Sequence, residues 1–399
     1  MSHPVSSPES RRQQMADAFY AQYQQQPEVG VRAPGRVDLM GSHTDYNEGS
    51  VLTLPIDRDT WILARANDQR LAELHSLNLD SSCSFSLDGS EPVSGWGRYV
   101  QAVLEQLRAA DCPLIGFQAV VHGTVPIGSG LSSSASLEAA TATLAEQIGK
   151  FSLGKLEKAS LCQRAENEGV GVNCGILDQY SSILGEAGRA IQLDCRSLTH
   201  ETAPLSDELT PVICDTRAPR QLTGSEYGAR RRQCEEAAAF FASLDRRYRT
   251  LRDVPADVFE DHQQDLSPDV RKRARFIIEE QARVGQLAEA LAADDRRAIG
   301  TLMADSFTGA RDLFEISVSQ MQAMFDAMRV APGVVGCRQA GAGFGGCMIA
   351  LVDSEHTLTF VDAVQHAYQA ATDIEPEIYA VRASAGAGAL DEFGSDADH

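Results

Sequence analysis

Apolar and polar positions alternate between strand-like and helix-like phase through the first half of the chain. Residues 98–110 carry Val100, Val103, Leu104 and Leu107 on one helical face. The apolar run 117–125 reads as a strand, broken by Pro126-Ile127-Gly128-Ser129-Gly130. The small-residue stretch 132–148 then reads as a long helix. Upstream, residues 1–28 read as one polar helix with a loose start, and 85–92 as a turn. Segment 194–211 is polar and holds Pro204 and Pro211, so it is the expected junction between an N-terminal domain, 1–200, and a C-terminal domain, 201–399. Beyond it the pattern is mostly helical. Ile277, Val284, Leu287 and Leu291 keep helical phase, as do Val318, Met321, Phe325 and Met328, and both sets are expected in a core. The charged segments 246–269 and 294–297 read as solvated faces. A Gly cluster from Gly341 to Gly346 leads into a strand-like run at 347–352, and the acidic tail from Glu392 is expected to fray.

Composition narrows the partners. A chain of 399 residues suits two domains, and no repeat of ~20–50 residues is visible. The net charge is −21, from 56 acidic and 35 basic residues. Such a surface repels extended anions, so neither a nucleic acid nor an anionic membrane is an expected partner. Hydrophobic content of 43% excludes wholesale disorder. There is no apolar run of ~18 residues, and the Gln-rich start lacks a signal-peptide core, so a cytoplasmic location is expected. The nine cysteines are scattered without a Cys-x-x-Cys pair, the pattern of reduced, mostly buried thiols rather than disulfides or a zinc site.

Two segments carry chemistry. Residues 126–136, Pro-Ile-Gly-Ser-Gly-Leu-Ser-Ser-Ser-Ala-Ser, lie between a strand and a helix. Glycines there permit tight turns, and the helix N-terminus offers unpaired N–H groups to an anion such as phosphate. Serine hydroxyls can add hard oxygen ligands for Mg²⁺. No Lys follows the glycines, so this is not a Walker A loop; the alternative is a turn that only caps the helix. Residues 35–49 pack Arg36, His43, Asp45 and Tyr46 into a glycine-bounded loop, a density suited to a polyhydroxylated ligand. The alternative is an Asx-type turn with solvated charges.

These segments resemble the signatures of galactokinases within the GHMP sugar- and metabolite-kinase superfamily. Gly341-Ala-Gly-Phe-Gly-Gly-Cys347 resembles the superfamily's C-terminal Gly-rich motif, and Gly175-Ile-Leu-Asp-Gln179 and the stretch 225–236 agree, in the family's order. The resemblance implies an α+β fold of two domains with the active site in the cleft between them. It implies an ATP- and Mg²⁺-dependent kinase acting on the C1 hydroxyl of a galacto-configured sugar, a monomer or weak homo-oligomer whose partners are the sugar and ATP. Asp178 would be the catalytic base, and Arg36 would neutralise charge on the transferring phosphoryl group. Ser42, His43, Asp45, Gly175 and Tyr227 would bind sugar. Gly128, Ser129, Gly130, Leu131, Ser132, Ser133, Ser134 and Ala135 would hold the nucleotide, and Ser134 and Glu166 the metal. For Glu166 an exposed helix edge is the alternative.

The chain departs from the family at several positions. Ser42 stands where galactokinases usually have Glu, at the end of the sugar that carries C6. Loss of that carboxylate predicts relaxed specificity, admitting galacturonate and L-arabinose beside galactose. Asp38 replaces an Asn, and Gln339-Ala340 replaces a Met-Thr or Met-Ser pair. Arg217 and Arg220 either face phosphate or a C6 carboxylate, or are surface residues. Two rivals remain: a superfamily kinase of another small alcohol, and a non-catalytic sugar sensor.

Overall fold

The computed structural model describes residues 7–89, 91–172, 174–218 and 224–390. Its first sheet begins with β1 (Val29–Met40) and β2 (Ser50–Asn67), a long antiparallel pair. It continues through β3 (Leu71–Ser76), β4 (Ser81–Ser86), β5 (Gly116–Gly123), β6 (Arg189–Asp194) and β7 (His200–Pro204). The second sheet comprises β8 (Leu209–Asp215), β9 (Val334–Gln339), β10 (Cys347–Asp353) and β11 (Glu377–Ala380), all antiparallel, in the order β11-β8-β10-β9. The chain then returns to the first sheet, where β12 (Gly388–Ala389) pairs with β1.

Ahead of β1 lies α1 (Pro8–Tyr23), which Ser7 caps from its side chain. Its Met15 and Phe19 pack on Trp61, Leu63 and Val120, and Arg11 binds the Asp59 carboxylate at 2.5 Å. Helices α2 (Gly97–Ala109), α3 (Ser133–Gly149), α4 (Lys155–Arg164) and α5 (Leu177–Leu184) bury their apolar faces against β1, β2 and β5. In the second half come α6 (Gly224–Leu244), α7 (Ala256–His262), α8 (Pro268–Ala292), α9 (Arg296–Asp312), α10 (Ser319–Met328) and α11 (Thr357–Thr372).

Strand β1 is shared between two cores. Val31 and Ala33 join the core under α2 to α5, whereas Val37 and Leu39 pack with Val284, Leu287, Ile299 and Met303 of α8 and α9. Strand alternation turns Arg36 and Asp38 to the face opposite Val37 and Leu39. That places two charged side chains in the cleft between the halves.

The periodic segments form the elements expected of them, and the phased apolar residues of α8 and α10 are buried. Two expectations need correction. The segment 246–269 is not simply a solvated face, because Leu251, Val254, Phe259 and Leu266 are buried beside α6 and α8. Its charges also bridge to the first sheet, through Arg252 to Asp194 and Arg196 to Asp253 at 2.7 Å. Strand β7 pairs with β6 as far as Pro204 and β8 begins at Leu209, so the chain crosses from the first sheet to the second at 205–208. The turn at 85–92 starts late, since Phe85 and Ser86 still belong to β4. The tail from Glu392 lies outside the described residues. No helix among the described residues is long and apolar enough to cross a membrane.

Candidate active site

The site centres on Asp178, in the first turn of α5, and Arg36 on β1. Arg36 Nε and Nη2 both donate to Asp178 Oδ1, at 2.9 and 2.6 Å. The second carboxylate oxygen, Oδ2, accepts from the Ser132 hydroxyl at 2.6 Å. Burial pushes the Arg36 pKa down, but the carboxylates of Asp178 and Asp38 outweigh it and hold the pKa above its ordinary value. A permanent cation therefore faces a carboxylate whose orientation is fixed from both oxygens.

The expected phosphate loop lies against this pair. Arg36 Nη1 donates to the Gly130 carbonyl at 2.6 Å, and the Leu131 carbonyl accepts from the Arg36 N–H. Gly128 and Gly130 have φ of +77° and +86°, which only glycine adopts without strain. Ser132 makes no capping side-chain bond to α3, so the N–H groups of Ser133, Ser134 and Ala135 keep the unpaired state of a helix start. The hydroxyls divide differently from expectation. Ser132 holds Asp178, and the buried Ser129 hydroxyl donates to the Pro126 carbonyl at 2.8 Å, so neither side chain is spare for phosphate. Backbone groups and Ser133 and Ser134 are left for that task.

Glu166 is not on an exposed helix edge. It lies in the wide turn 165–170 that follows α4 and is buried, with the Ser134 side chain near enough to favour its charged form. A hydroxyl and a carboxylate, both hard oxygen donors, fit a Mg²⁺ ion completed by phosphate and water.

Next to Asp178 is a cavity of about 180 Å³ lined by Asp38, Ser42, Asp45, Gly175, Tyr227 and Gly341, among others. It is smaller than the ~300–1,000 Å³ of drug-sized pockets and suits one small polar molecule. A larger groove, about 840 Å³, is lined by residues such as Asp57, Leu205 and Arg382 and contains none of these groups. Burial pushes the Asp45 pKa up to about 6. Gly175 is where it is because of Asp45: a Cβ there would meet Asp45 Oδ2 at 2.7 Å. The Tyr227 ring packs on His43 and Tyr46, with centroids 5.4 and 5.8 Å away.

His43 is held from both ring nitrogens. Its Nε2 lies 2.9 Å from the Ala342 carbonyl, which can only accept, so Nε2 carries the proton. Its Nδ1 then accepts from Tyr46 Oη at 3.0 Å. Burial pushes the pKa down to about 4 and keeps the ring neutral. With both nitrogens engaged, His43 lines the cavity and braces the 341–346 loop.

Ser42 has an unforeseen neighbour. Arg338 on β9 donates to Ser42 Oγ at 2.8 Å, and Ser42 Oγ donates to the Gly341 carbonyl at 3.1 Å. Arg338 is fully buried; it binds Glu280 at 3.1 Å, while its Nη1 has no hydrogen-bond partner among the described residues. Its nearness to residue 42 arises from pairing across 296 positions of sequence. Arg217 instead pairs with Glu377 at 2.5 Å on an exposed sheet edge, which makes it a surface arginine, and Arg220 lies outside the described residues.

Comparison with known proteins agrees with this geometry. Residues 98–186 match the GHMP kinases N terminal domain, 287–370 the GHMP kinases C terminal model, and 17–66 the galactokinase galactose-binding signature. A mevalonate kinase from Methanococcus jannaschii, 18% identical, superposes with a TM-score of 0.63 over 90% of this chain and 98% of its own, and shares the fold. A galactokinase from Roseiflexus sp. (strain RS-1) is 38% identical over 376 residues, 94% of this chain and 96% of that protein. The Lactococcus lactis galactokinase, solved with galactose, is 32% identical with a TM-score of 0.88, covering 94% of this chain and 98% of its own. The chain belongs to the galactokinase family and is a galactokinase-like sugar kinase.

Proposed function

We propose that this enzyme transfers the γ-phosphoryl group of ATP to the C1 hydroxyl of a galacto-configured sugar, giving the α-1-phosphate. The observation that supports it most is Asp178, held by Arg36 and Ser132 between the N-terminus of α3 and the cavity of Asp45. The C1 hydroxyl gives its proton to Asp178 as its oxygen bonds to the γ-phosphorus. The bond from that phosphorus to the β–γ bridging oxygen breaks, and ADP leaves. Arg36 and the first N–H groups of α3 balance charge on the transferring group. Ser134 and Glu166 hold Mg²⁺, which when bound neutralises phosphate charge. Asp45 accepts hydrogen bonds from sugar hydroxyls, and Tyr227 covers the ring.

The finer reading concerns the far end of the sugar. Strand β1 runs from Arg36, at the transfer end, to Ser42 just beyond its last residue. Ser42 is short and neutral, with a buried arginine behind it. It imposes no repulsion on a C6 carboxylate and requires no C6 group. Galactose, galacturonate and L-arabinose are therefore all proposed substrates, at a cytoplasmic location. A coupled ADP-release assay over these sugars, with glucose and N-acetylgalactosamine, tests the reading. Turnover with galactose alone, other sugars lower by about 10⁴ in kcat/KM, refutes the relaxed specificity. A mevalonate or homoserine kinase has no use for the loop 43–47, and a sensor would bind sugar without turnover.

A further inference from the structure

Behind the pair Ser134 and Glu166 sits a buried cluster with no place in the chemistry above. Gln179 follows Asp178 on α5 and is fully buried. Its amide nitrogen donates to two carboxylates: Glu166 Oε2 at 2.6 Å and Glu138 Oε2 at 2.9 Å. In this orientation the amide nitrogen, rather than its oxygen, faces both carboxyl groups. Glu138 lies one turn beyond Ser134 on α3 and is also fully buried. The Cys174 thiol donates to the same Glu166 Oε2 at 3.2 Å.

Glu166 is thus clamped at Oε2, and Oε1 takes no part in either bond. Glu138 Oε1 and Gln179 Oε1 have no partner among the described residues, so this cluster is less than fully satisfied. A buried, incompletely satisfied carboxylate costs stability, and here its one bond goes to the residue that holds Glu166. One amide ties α3, the turn 165–170 and α5 together at the point where metal and base meet.

We propose that Gln179 and Glu138 are positioning residues for the metal-binding carboxylate. Glu138 orients the Gln179 amide, and Gln179 fixes the rotation of Glu166 so that its free oxygen faces the Ser134 hydroxyl. Outer partners of this kind govern metal affinity although they never touch the ion. The inference rests on the reading that Glu166 holds Mg²⁺.

The test uses the full-length protein with Mn²⁺ as the probe, followed by electron paramagnetic resonance with a non-hydrolysable ATP analogue present. Gln179→Met keeps the volume and removes the donor; it is expected to weaken Mn²⁺ binding about 10–100-fold. Galactose affinity, measured calorimetrically without metal, should stay within about 3-fold. Glu138→Leu should show the same split more weakly, and Glu138→Gln, which keeps an acceptor oxygen, should largely restore binding. If Gln179→Met does not fold, Gln179→Asn, too short to reach both carboxylates, replaces it. Mn²⁺ affinity within 2-fold of wild type in the Gln179 variant and in Glu138→Leu overturns the inference. Glu166→Ala separates the two failures. If it weakens Mn²⁺ binding while the Gln179 variant does not, only the positioning role falls. If it too has no effect, the metal role of Glu166 falls and the inference with it.

Discussion

Gly175→Ala isolates a single contact between the loop after the 165–170 turn and the sugar pocket. The added methyl would sit 2.7 Å from Asp45 Oδ2, about half an ångström or more inside ordinary van der Waals contact. No other atom lies as near, and Asp45 can yield by rotating its side chain, so the fold should tolerate the change. The carboxylate cannot yield without leaving the position from which it meets the sugar. A misplacement on the scale of 1 Å costs about 10²-fold in such sites, so KM for galactose should rise about 10–100-fold. KM for ATP should change less than 3-fold, because the phosphate loop lies on the other side of Asp178. Initial rates with each substrate varied in turn, beside a thermal melt, give all three quantities. A galactose KM within 2-fold of wild type would mean that Asp45 does not bind the sugar where its contact with Gly175 places it.

Two further outcomes follow from the same pocket. Asp45 has its pKa raised by burial to about 6 while His43 stays neutral down to about 4, so kcat/KM for galactose should fall below pH about 6 and be level above it. The sign is that of a raised carboxyl: protonation favours the folded state, so Asp45 costs stability as pH rises from its unfolded value of 3.8 to about 6, whereas sugar binding needs the ionised form. A profile flat to pH 5 contradicts this assignment. Ser42→Glu would set a carboxylate beside the unpartnered Nη1 of Arg338, and should shift the galactose-to-galacturonate ratio of kcat/KM about 10-fold or more toward galactose. An unchanged ratio would mean that residue 42 does not face C6.

Local pattern carried most of the elements. Val100, Val103, Leu104 and Leu107 announced α2 because a helix buries one face, and strand–loop–helix order announced the turn before α3. The segments containing Arg36, Asp45 and Asp178 were legible as motifs, whereas Glu166 was marked only by the family resemblance. What was illegible arises from pairing across the fold. Arg338 reaches Ser42 from 296 residues away, and nothing near either residue signals it. The task of His43 depends on the Ala342 carbonyl, and that of Ser132 on Asp178. The charged stretch 246–269 misled because four well-spaced apolar residues, Leu251, Val254, Phe259 and Leu266, are too few for a clear helical period, yet enough to dock it. Gln179 closes the motif 175–179, but its task was illegible, since an amide becomes informative only when two carboxylates are found against it.

The central claim is that Asp178 takes the proton of a sugar hydroxyl while Arg36 holds it in place. Asp178→Asn preserves shape and removes the proton acceptor. The decisive measurement is sugar-dependent ADP release by this variant, beside its galactose affinity by calorimetry. The account predicts kcat lower by about 10²–10⁴ with affinity within a few-fold of wild type. Wild-type turnover, or a loss of sugar binding as large as the loss of turnover, would contradict it.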